Sequence, residues 1–156
     1  MITCAALAAS PALASDLFIR DGDSFAIDGQ EVRLWGIDAP EYHQTCIKSG
    51  SNVPCGKYAR QRLVNLTKGV DLQCEKVNTD RYKRTVARCY VHGEDLAALM
   101  VRAGFAFDYP RYSKGAYSKQ QKAAKNELRG VWSMNFEMPW VYKKKNKPLP
   151  YSRIGY

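Results

Sequence analysis

Carboxylate side chains cluster at two points in the first third of the chain, and together they could bind a hard cation. The sequence DGDS at 21–24 stands just before a β-prone run, and DAPE at 38–41 follows the next such run. Calcium and similar ions take several oxygen ligands, which carboxylates and loop carbonyl groups supply without a soft ligand. Asp23 and Asp38 are therefore the natural ligand pair. Either segment taken alone is more typical of a plain turn or a capped loop.

Two arginines change the balance between these interpretations. Arg33 lies between the two acidic segments, and Arg84 directly follows a later polar segment, DRYK at 80–83. A guanidinium fork matches two oxygens of a phosphate, so arginines beside a bound cation favour a phosphate ligand. A single arginine is more often an ordinary surface charge.

The composition predicts one domain with an anionic partner. A chain of 156 residues, 46% of them hydrophobic, suffices for one compact core and is too short for two ordinary domains. Its 24 Lys and Arg residues exceed its 15 Asp and Glu residues, which gives a net charge of +9. That excess favours nucleic acid or a membrane surface as a partner. Beyond the N-terminus, no apolar run approaches the roughly 20 residues of a membrane span, so we expect no membrane insertion.

The N-terminal segment 1–14 carries no charged residue and ends in Ala-Leu-Ala before Ser15. This ending matches the small-x-small rule for signal-peptidase cleavage, so we interpret 1–14 as the remnant of a signal peptide. The mature protein is then expected to be secreted or periplasmic. Because the segment lacks a positively charged start, an upstream start codon or a non-exported N-terminus also stays open.

Four cysteines remain once the leader with Cys4 is removed, namely Cys46, Cys55, Cys74 and Cys89. An even number suits two disulfides in an oxidising compartment. Cys74 and Cys89 are symmetric about the polar segment 80–83, so a hairpin turning there would place them opposite each other. Cys46 and Cys55 would then close a short loop. A zinc site is the alternative, but there is no C-x2-C pair and the chain has only two histidines.

The elements that must position these residues are strands followed by helices. The β-prone runs 24–27 and 31–37 flank Asp28-Gly29, a favoured hairpin turn, and a second hairpin is predicted from 70–77 and 85–91. These strands would form a small barrel or sandwich. Helical spacing recurs at 59–66, 96–103 and 117–128, which predicts three helices. A glycine follows each helical pattern, at 69, 104 and 130, where a left-handed C-cap is easiest for glycine.

In order and separation, these segments resemble the thermonuclease, or staphylococcal nuclease-like, family. The markers are DGDS at 21–24, the run 33–41, DRYKR at 80–84 and LRGVWS at 128–133. The resemblance implies a mainly β fold with α, a five-stranded OB-fold barrel with three helices, over residues 15–133. Residues 134–156 would be a basic aromatic C-terminal extension packed on this domain. Its lysines at 143, 144, 145 and 147 are expected to face solvent.

The resemblance also implies site residues. Asp23 and Asp38 would be the carboxylate ligands of one Ca2+, and the backbone carbonyl of Ala39 would be a further ligand. Glu41 would orient or deprotonate the attacking water. Arg33 and Arg84 would bind the phosphate.

Nucleic-acid contacts are predicted for Tyr82, Tyr112 and Lys83, since aromatic faces stack on bases without reading sequence. Lys83 stands where the family often has glycine.

The implied activity is that of a calcium-dependent, sugar-nonspecific nuclease, which hydrolyses phosphodiester bonds of DNA and RNA and leaves 3′-phosphates. We expect it to act as a monomer. Two alternatives belong to other classes. A non-catalytic OB-fold nucleic-acid-binding module needs no complete catalytic set, and a basic protein that binds acidic polysaccharide or membrane surfaces leaves the clustered carboxylates unexplained.

Overall fold

A computed structural model describes residues 16–146. The predicted signal peptide remnant and Lys147 lie outside this range. In chain order the strands are β1 Leu17–Ile19, β2 Ser24–Ile27, β3 Gln30–Leu34, β4 Ile37–Asp38, β5 Cys46–Lys48, β6 Ser51–Val53, β7 Gln73–Thr79, β8 Thr85–Val91, β9 Glu94–Asp95 and β10 Phe107–Asp108. The α-helices are α1 Cys55–Thr67, α2 Leu96–Arg102, α3 Pro110–Ser113, α4 Ser118–Asn126 and α5 Pro139–Lys145, with a 3-10 helix at Gly130–Ser133.

The main sheet has the order β1-β2-β3-β8-β7, with β9 paired to β8. Its pairs are antiparallel except β3 with β8, which run parallel and join the two hairpins. Asp28 and Gly29 both have positive φ, 49° and 78°, as the predicted tight turn requires. The prediction of one continuous strand over 31–37 is wrong, because Gly36, with φ 76°, separates β3 from β4.

The second hairpin confirms the predicted cysteine pairing. Cys74 on β7 lies directly opposite Cys89 on β8, and the two form a disulfide. Cys46 on β5 is bonded to Cys55 at the start of α1. All four cysteines that follow Cys4 are thus committed to disulfides, so the zinc interpretation of them is wrong.

We expect each disulfide to stabilise the fold by roughly 2–4 kcal/mol, because each bond closes a loop that the unfolded chain would otherwise leave open. The bonds span 9 and 15 residues. Urea unfolding of the double variants Cys46→Ser/Cys55→Ser and Cys74→Ser/Cys89→Ser measures the two contributions. An unfolding free energy equal to that of the oxidised wild type in both variants would contradict the expectation.

The predicted helix count of three is wrong, since five α-helices are present between residues 16 and 146. The three predicted patterns correspond to α1, α2 and α4. The two additional helices span 4 and 7 residues and both begin with proline, so they are too short to show a helical period. The predicted cap of α4 is also displaced. Leu128, with φ 51°, takes the left-handed conformation after α4, and Gly130 instead packs backbone to backbone against Gly104.

Two hydrophobic clusters form the core. The larger lies between the main sheet and helices α1 and α2, and its fully buried members include Phe25, Leu34, Leu63, Leu96 and Met100.

The smaller cluster centres on Phe107 of β10, whose ring contacts Trp132, Phe136 and Trp140. Through it, residues 134–146 lie on the body of the domain. None of the helices described between residues 16 and 146 combines the length and the apolar character needed to cross a bilayer.

Candidate active site

Asp23 is buried directly before β2, with 1% of its surface exposed. Its Oδ2 accepts a hydrogen bond of 2.9 Å from the backbone N–H of Ala39. Its other oxygen, Oδ1, accepts one of 3.0 Å from Nη1 of Arg33. Gly22 permits this position, because a Cβ there would lie 2.8 Å from the Cβ atoms of Ala39 and Ala59. Main-chain packing therefore sets the position of the carboxylate.

Arg33 bridges the two predicted metal carboxylates. It lies on β3 opposite Ser24 of β2, and its Nη2 donates to Oδ1 of Asp38 at 2.7 Å. Asp38 is also buried, with 1% exposed. One guanidinium thus holds together two carboxylates that come from different strands.

The two carboxylates differ in proton affinity. Burial opposes ionisation of Asp23, but the charges of Arg33 and Lys143 outweigh it and lower the pKa of Asp23 below its usual value. Burial and the negative charge of Asp23 raise the pKa of Asp38. The two neighbouring negative charges are therefore stabilised by a positive charge beside them.

Lys143 supplies such a charge, and the expectation that it faces solvent is wrong. Its Nζ donates to Oδ1 of Asp38 and lies 2.9 Å from Oε1 of Glu41. Only 30% of its side chain is exposed. Neighbouring Lys144 and Lys145 on α5 are exposed.

Lys143 could be found only indirectly from the sequence. It stands three residues after Trp140, whose ring stacks on Tyr109 with centroids 5.2 Å apart. Residues three apart share a helix face, so a docked Trp140 brings Lys143 toward the domain.

Glu41 is held in place by residues that sequence reasoning missed. The side-chain oxygen Oε1 of Gln44 accepts a hydrogen bond of 3.2 Å from the backbone N–H of Glu41. The backbone N–H of Gln44 donates to the carbonyl of Glu41 at 2.7 Å. Its Nε2 donates to the carbonyl of Glu137. A Cβ on Gly56 would lie 1.7 Å from the Glu41 carbonyl oxygen, so only glycine fits there. The Glu41 side chain itself is 37% exposed and can reach water.

Asp21 forms a turn that supports Asp23. Its Oδ1 accepts from the Asp23 N–H at 3.0 Å and from the Ser24 hydroxyl at 2.8 Å. Burial, together with the negative charge of Asp23, raises the pKa of Asp21 to about 7. In the folded protein this carboxyl therefore takes up a proton far more readily than an exposed aspartate does.

This shift predicts a pH dependence of stability. Because the folded state binds the Asp21 proton more tightly than the unfolded state, the contribution of this group to the stability of the metal-free protein should be lost as pH rises from about 4 to about 7. The slope from this group approaches roughly 1 kcal/mol per pH unit. Asp21→Asn, which keeps the accepting oxygen, should flatten the slope in urea unfolding of metal-free protein. Identical slopes for variant and wild type would contradict the prediction.

Arg84 does not join the carboxylate cluster. Its Nε donates to Oδ2 of Asp80 at 2.8 Å, while Oδ1 of Asp80 accepts from the backbone N–H groups of Tyr82 and Arg84. Arg84 directly precedes β8, which pairs with the strand that carries Arg33. Arg33 and the residues directly after Arg84 therefore lie on neighbouring strands.

The predicted nucleic-acid contacts lie at the surface. Tyr82 is 64% exposed, and the guanidinium groups of Arg81 and Arg84 lie 4.8 and 5.6 Å from its ring centre. Lys83 has φ 64°, a left-handed conformation that costs glycine least. Tyr112 is exposed on α3 and packs edge to face on Tyr109.

The residues present fit a hard cation whose coordination shell is supplied only in part by the protein. Within residues 16–146, no three or more side chains of His, Cys, Asp and Glu converge as a ready-made metal site. Asp23 and Asp38 nevertheless offer paired oxygen donors, and positive groups of the chain already stand against them. Calcium accepts such a set when carbonyl groups and waters complete it, so Ala39 and solvent would supply the other ligands.

A family model described as staphylococcal nuclease homologue matches residues 31–134. The matched segment contains both arginines, Asp38 and Glu41, while Asp23 precedes it and Lys143 follows it. The chain belongs to the staphylococcal nuclease family. The predicted family is thereby confirmed, and the curled mainly β sheet agrees with the predicted OB-type fold.

Curated relatives carry several names. The chain is 34% identical over 117 residues to succinoglycan biosynthesis protein ExoI of Rhizobium meliloti (strain 1021), covering 73% of this chain and 61% of that protein. It is 33% identical over 118 residues to staphylococcal-like nuclease CAN1 of Arabidopsis thaliana, covering 74% of this chain and 34% of that protein. Micrococcal nuclease of Shigella flexneri is 31% identical over 146 residues, with 83% of this chain and 79% of that protein covered. The chain thus spans less than two thirds of the first two relatives.

Proposed function

We propose that this protein is a calcium-dependent, sugar-nonspecific nuclease that hydrolyses phosphodiester bonds of DNA and RNA and leaves 3′-phosphates. The observation that carries the proposal is the cluster in which Arg33 bridges buried Asp23 and Asp38 beside the exposed carboxylate of Glu41. Membership in the family and the nuclease names of relatives support it.

Each residue has an assigned task in the proposed reaction. Asp23, Asp38 and the carbonyl of Ala39 would hold calcium, which when bound withdraws charge from the phosphoryl oxygens. Glu41 orients the attacking water or takes its proton, as its exposure and fixed backbone allow.

Arg33 and Arg84 bind the phosphate. A guanidinium has five N–H donors, so Arg33 can hold its carboxylates and still present donors to the phosphate. Arg84 approaches from the turn directly before the neighbouring strand, β8. Both guanidiniums would stabilise the charge that grows on the phosphoryl oxygens in the transition state.

Substrate breadth follows from the assigned surface contacts. Tyr82 and Tyr112 expose aromatic faces that can stack on any base, and Lys83 adds a positive charge. Such contacts read neither base sequence nor sugar. The net charge of +9 supports binding to the phosphate backbone.

We further propose a secreted or periplasmic, monomeric protein. Two disulfides support an oxidising compartment, since such bonds rarely persist in a reducing cytosol.

The direct test incubates the mature chain, from Ser15, with plasmid DNA and with RNA, in calcium or in a chelator. We expect degradation of both substrates with calcium and none with chelator. Asp23→Asn and Asp38→Asn should reduce activity at limiting calcium by about 100-fold or more, since each removes a charged ligand. Their matched control is Asp71→Asn, at an exposed aspartate outside the cluster.

Tight binding of both substrates without cleavage would favour the non-catalytic OB-fold module instead. Wild-type activity in both ligand variants at limiting calcium would show that the metal assignment is wrong.

A further inference from the structure

We propose that the ammonium group of Lys143 is a tethered cation that competes with a divalent cation for Asp38, so that the metal must displace it from Oδ1 of Asp38 in order to use that oxygen. This inference rests on the proposed metal-binding role of Asp23 and Asp38. The inference adds that a side chain of the same protein competes with the metal ion for its ligand.

The hydrogen bonds of the carboxylate pair carry the first step. Both oxygens of Asp23 are occupied, Oδ1 by Arg33 and Oδ2 by the N–H of Ala39. Oδ1 of Asp38 accepts from both Arg33 and Lys143. Three of the four oxygens therefore already accept hydrogen bonds from the chain. The two bonds to Oδ1 of Asp38 use both of its lone pairs, so a cation that binds this oxygen must replace Arg33 or Lys143.

Lys143 is the donor that can leave. Arg33 lies in the middle of the sheet between β2 and β8, and the Ala39 N–H belongs to a buried main chain. Lys143 reaches the site on a flexible side chain from α5 at the edge of the domain, and 30% of that side chain is exposed. Its ammonium can move to water while the helix stays in place.

The position of Lys143 also suits a cation that stands in for a metal. Its ammonium contacts Asp38 and Glu41, which are the assigned ligand and the water-orienting carboxylate. Its single positive charge offsets part of the repulsion between these two carboxylates in a partly buried site. Trp140, stacked on Tyr109, anchors the helix that delivers it.

Calorimetric titration of metal-free protein with calcium chloride alone tests the proposal. Lys143→Met removes the competing charge and keeps an unbranched side chain that is one atom shorter. We expect its calcium Kd to fall by about tenfold or more, the factor that corresponds to one charge-assisted hydrogen bond. Lys143→Arg, which keeps a cation in place, should stay within about threefold of wild type.

Lys144→Met is the matched control, because it removes the same charge from the same helix at an exposed position. Its Kd should equal that of wild type. A second measurement needs no bound calcium. In chelator, Lys143→Met should unfold at a lower temperature than Lys144→Met, and added calcium should remove the difference.

The outcomes separate the two proposals. If Lys143→Met binds calcium as wild type does, or more weakly, while Asp38→Asn has lost affinity, the competition is refuted and the metal site stands. If wild type and Asp38→Asn titrate identically, both the metal assignment and the competition are refuted. If Lys144→Met gained as much calcium affinity as Lys143→Met, the gain would come from the lower net charge of the protein alone, and the proposal would be refuted.

Discussion

Glu41→Gln is expected to lower kcat by about 100-fold or more at saturating calcium, while Kd for an oligonucleotide stays nearly unchanged. The carboxylate is exposed enough to hold a water, and Gln44 and Gly56 fix its backbone. Glutamine keeps the shape but cannot accept the proton of that water. A group that acts mainly in the transition state changes kcat more than affinity.

Steady-state kinetics and equilibrium binding on one oligonucleotide would measure both quantities. Glu127→Gln is the matched control, since it removes a carboxylate that pairs with Arg129 at the surface. Saturating calcium is needed because Glu41 also contacts Lys143. A kcat equal to that of wild type would remove Glu41 from the catalytic assignment and revive the binding-module interpretation.

Arg33→Met is expected to damage both the fold and the reaction. The change leaves Asp23 and Asp38 buried without the guanidinium that joins them, and removing one partner of a buried ion pair costs about 3–5 kcal/mol of unfolding free energy. Loss of the charge that is proposed to bind the phosphate should lower kcat by about 100-fold or more. Urea unfolding in chelator and turnover in calcium measure the two effects.

Arg84→Met provides the contrast, because its ion pair with Asp80 is more exposed and lies within the turn between β7 and β8. Its unfolding free energy should change by no more than about 1 kcal/mol, although its kcat should fall. Arg33→Lys should recover part of the stability lost in Arg33→Met, since an ammonium restores charge but cannot form both bonds. Equal stabilities for Arg33→Met and Arg84→Met would contradict the bridging role.

Local patterns predicted those parts of the fold that neighbouring residues determine. Asp28 and Gly29 adopt the backbone of the expected turn, and the spacing of Cys74 and Cys89 about segment 80–83 located their pairing. Helical periods found α1 and α2 because each buries one face, whereas α4 buries only Ala124 within its span and Leu128 of the same pattern is exposed. Gly36 interrupts a β-prone run, and composition alone could not distinguish that break from a continuous strand.

Contacts between distant parts of the chain could not be predicted in this way. Lys143 and Asp38 are 105 residues apart, and Gln44 and Glu137 are 93 apart. Neither pair leaves a periodic signal, because each depends on how the tail docks on Phe107. The family resemblance supplied roles for Arg33 and Arg84, but the bridging geometry of Arg33 and the Asp80 anchor of Arg84 required coordinates.

The Cys46–Cys55 bond closes the segment that follows Glu41, next to Gln44 and Gly56. If the chain is exported as proposed, it is synthesised in a reducing cytosol where this bond has not formed. The Glu41 backbone would then lack one of its restraints. The segment that carries Gln44 and Gly56 would thus gain its covalent closure only after export.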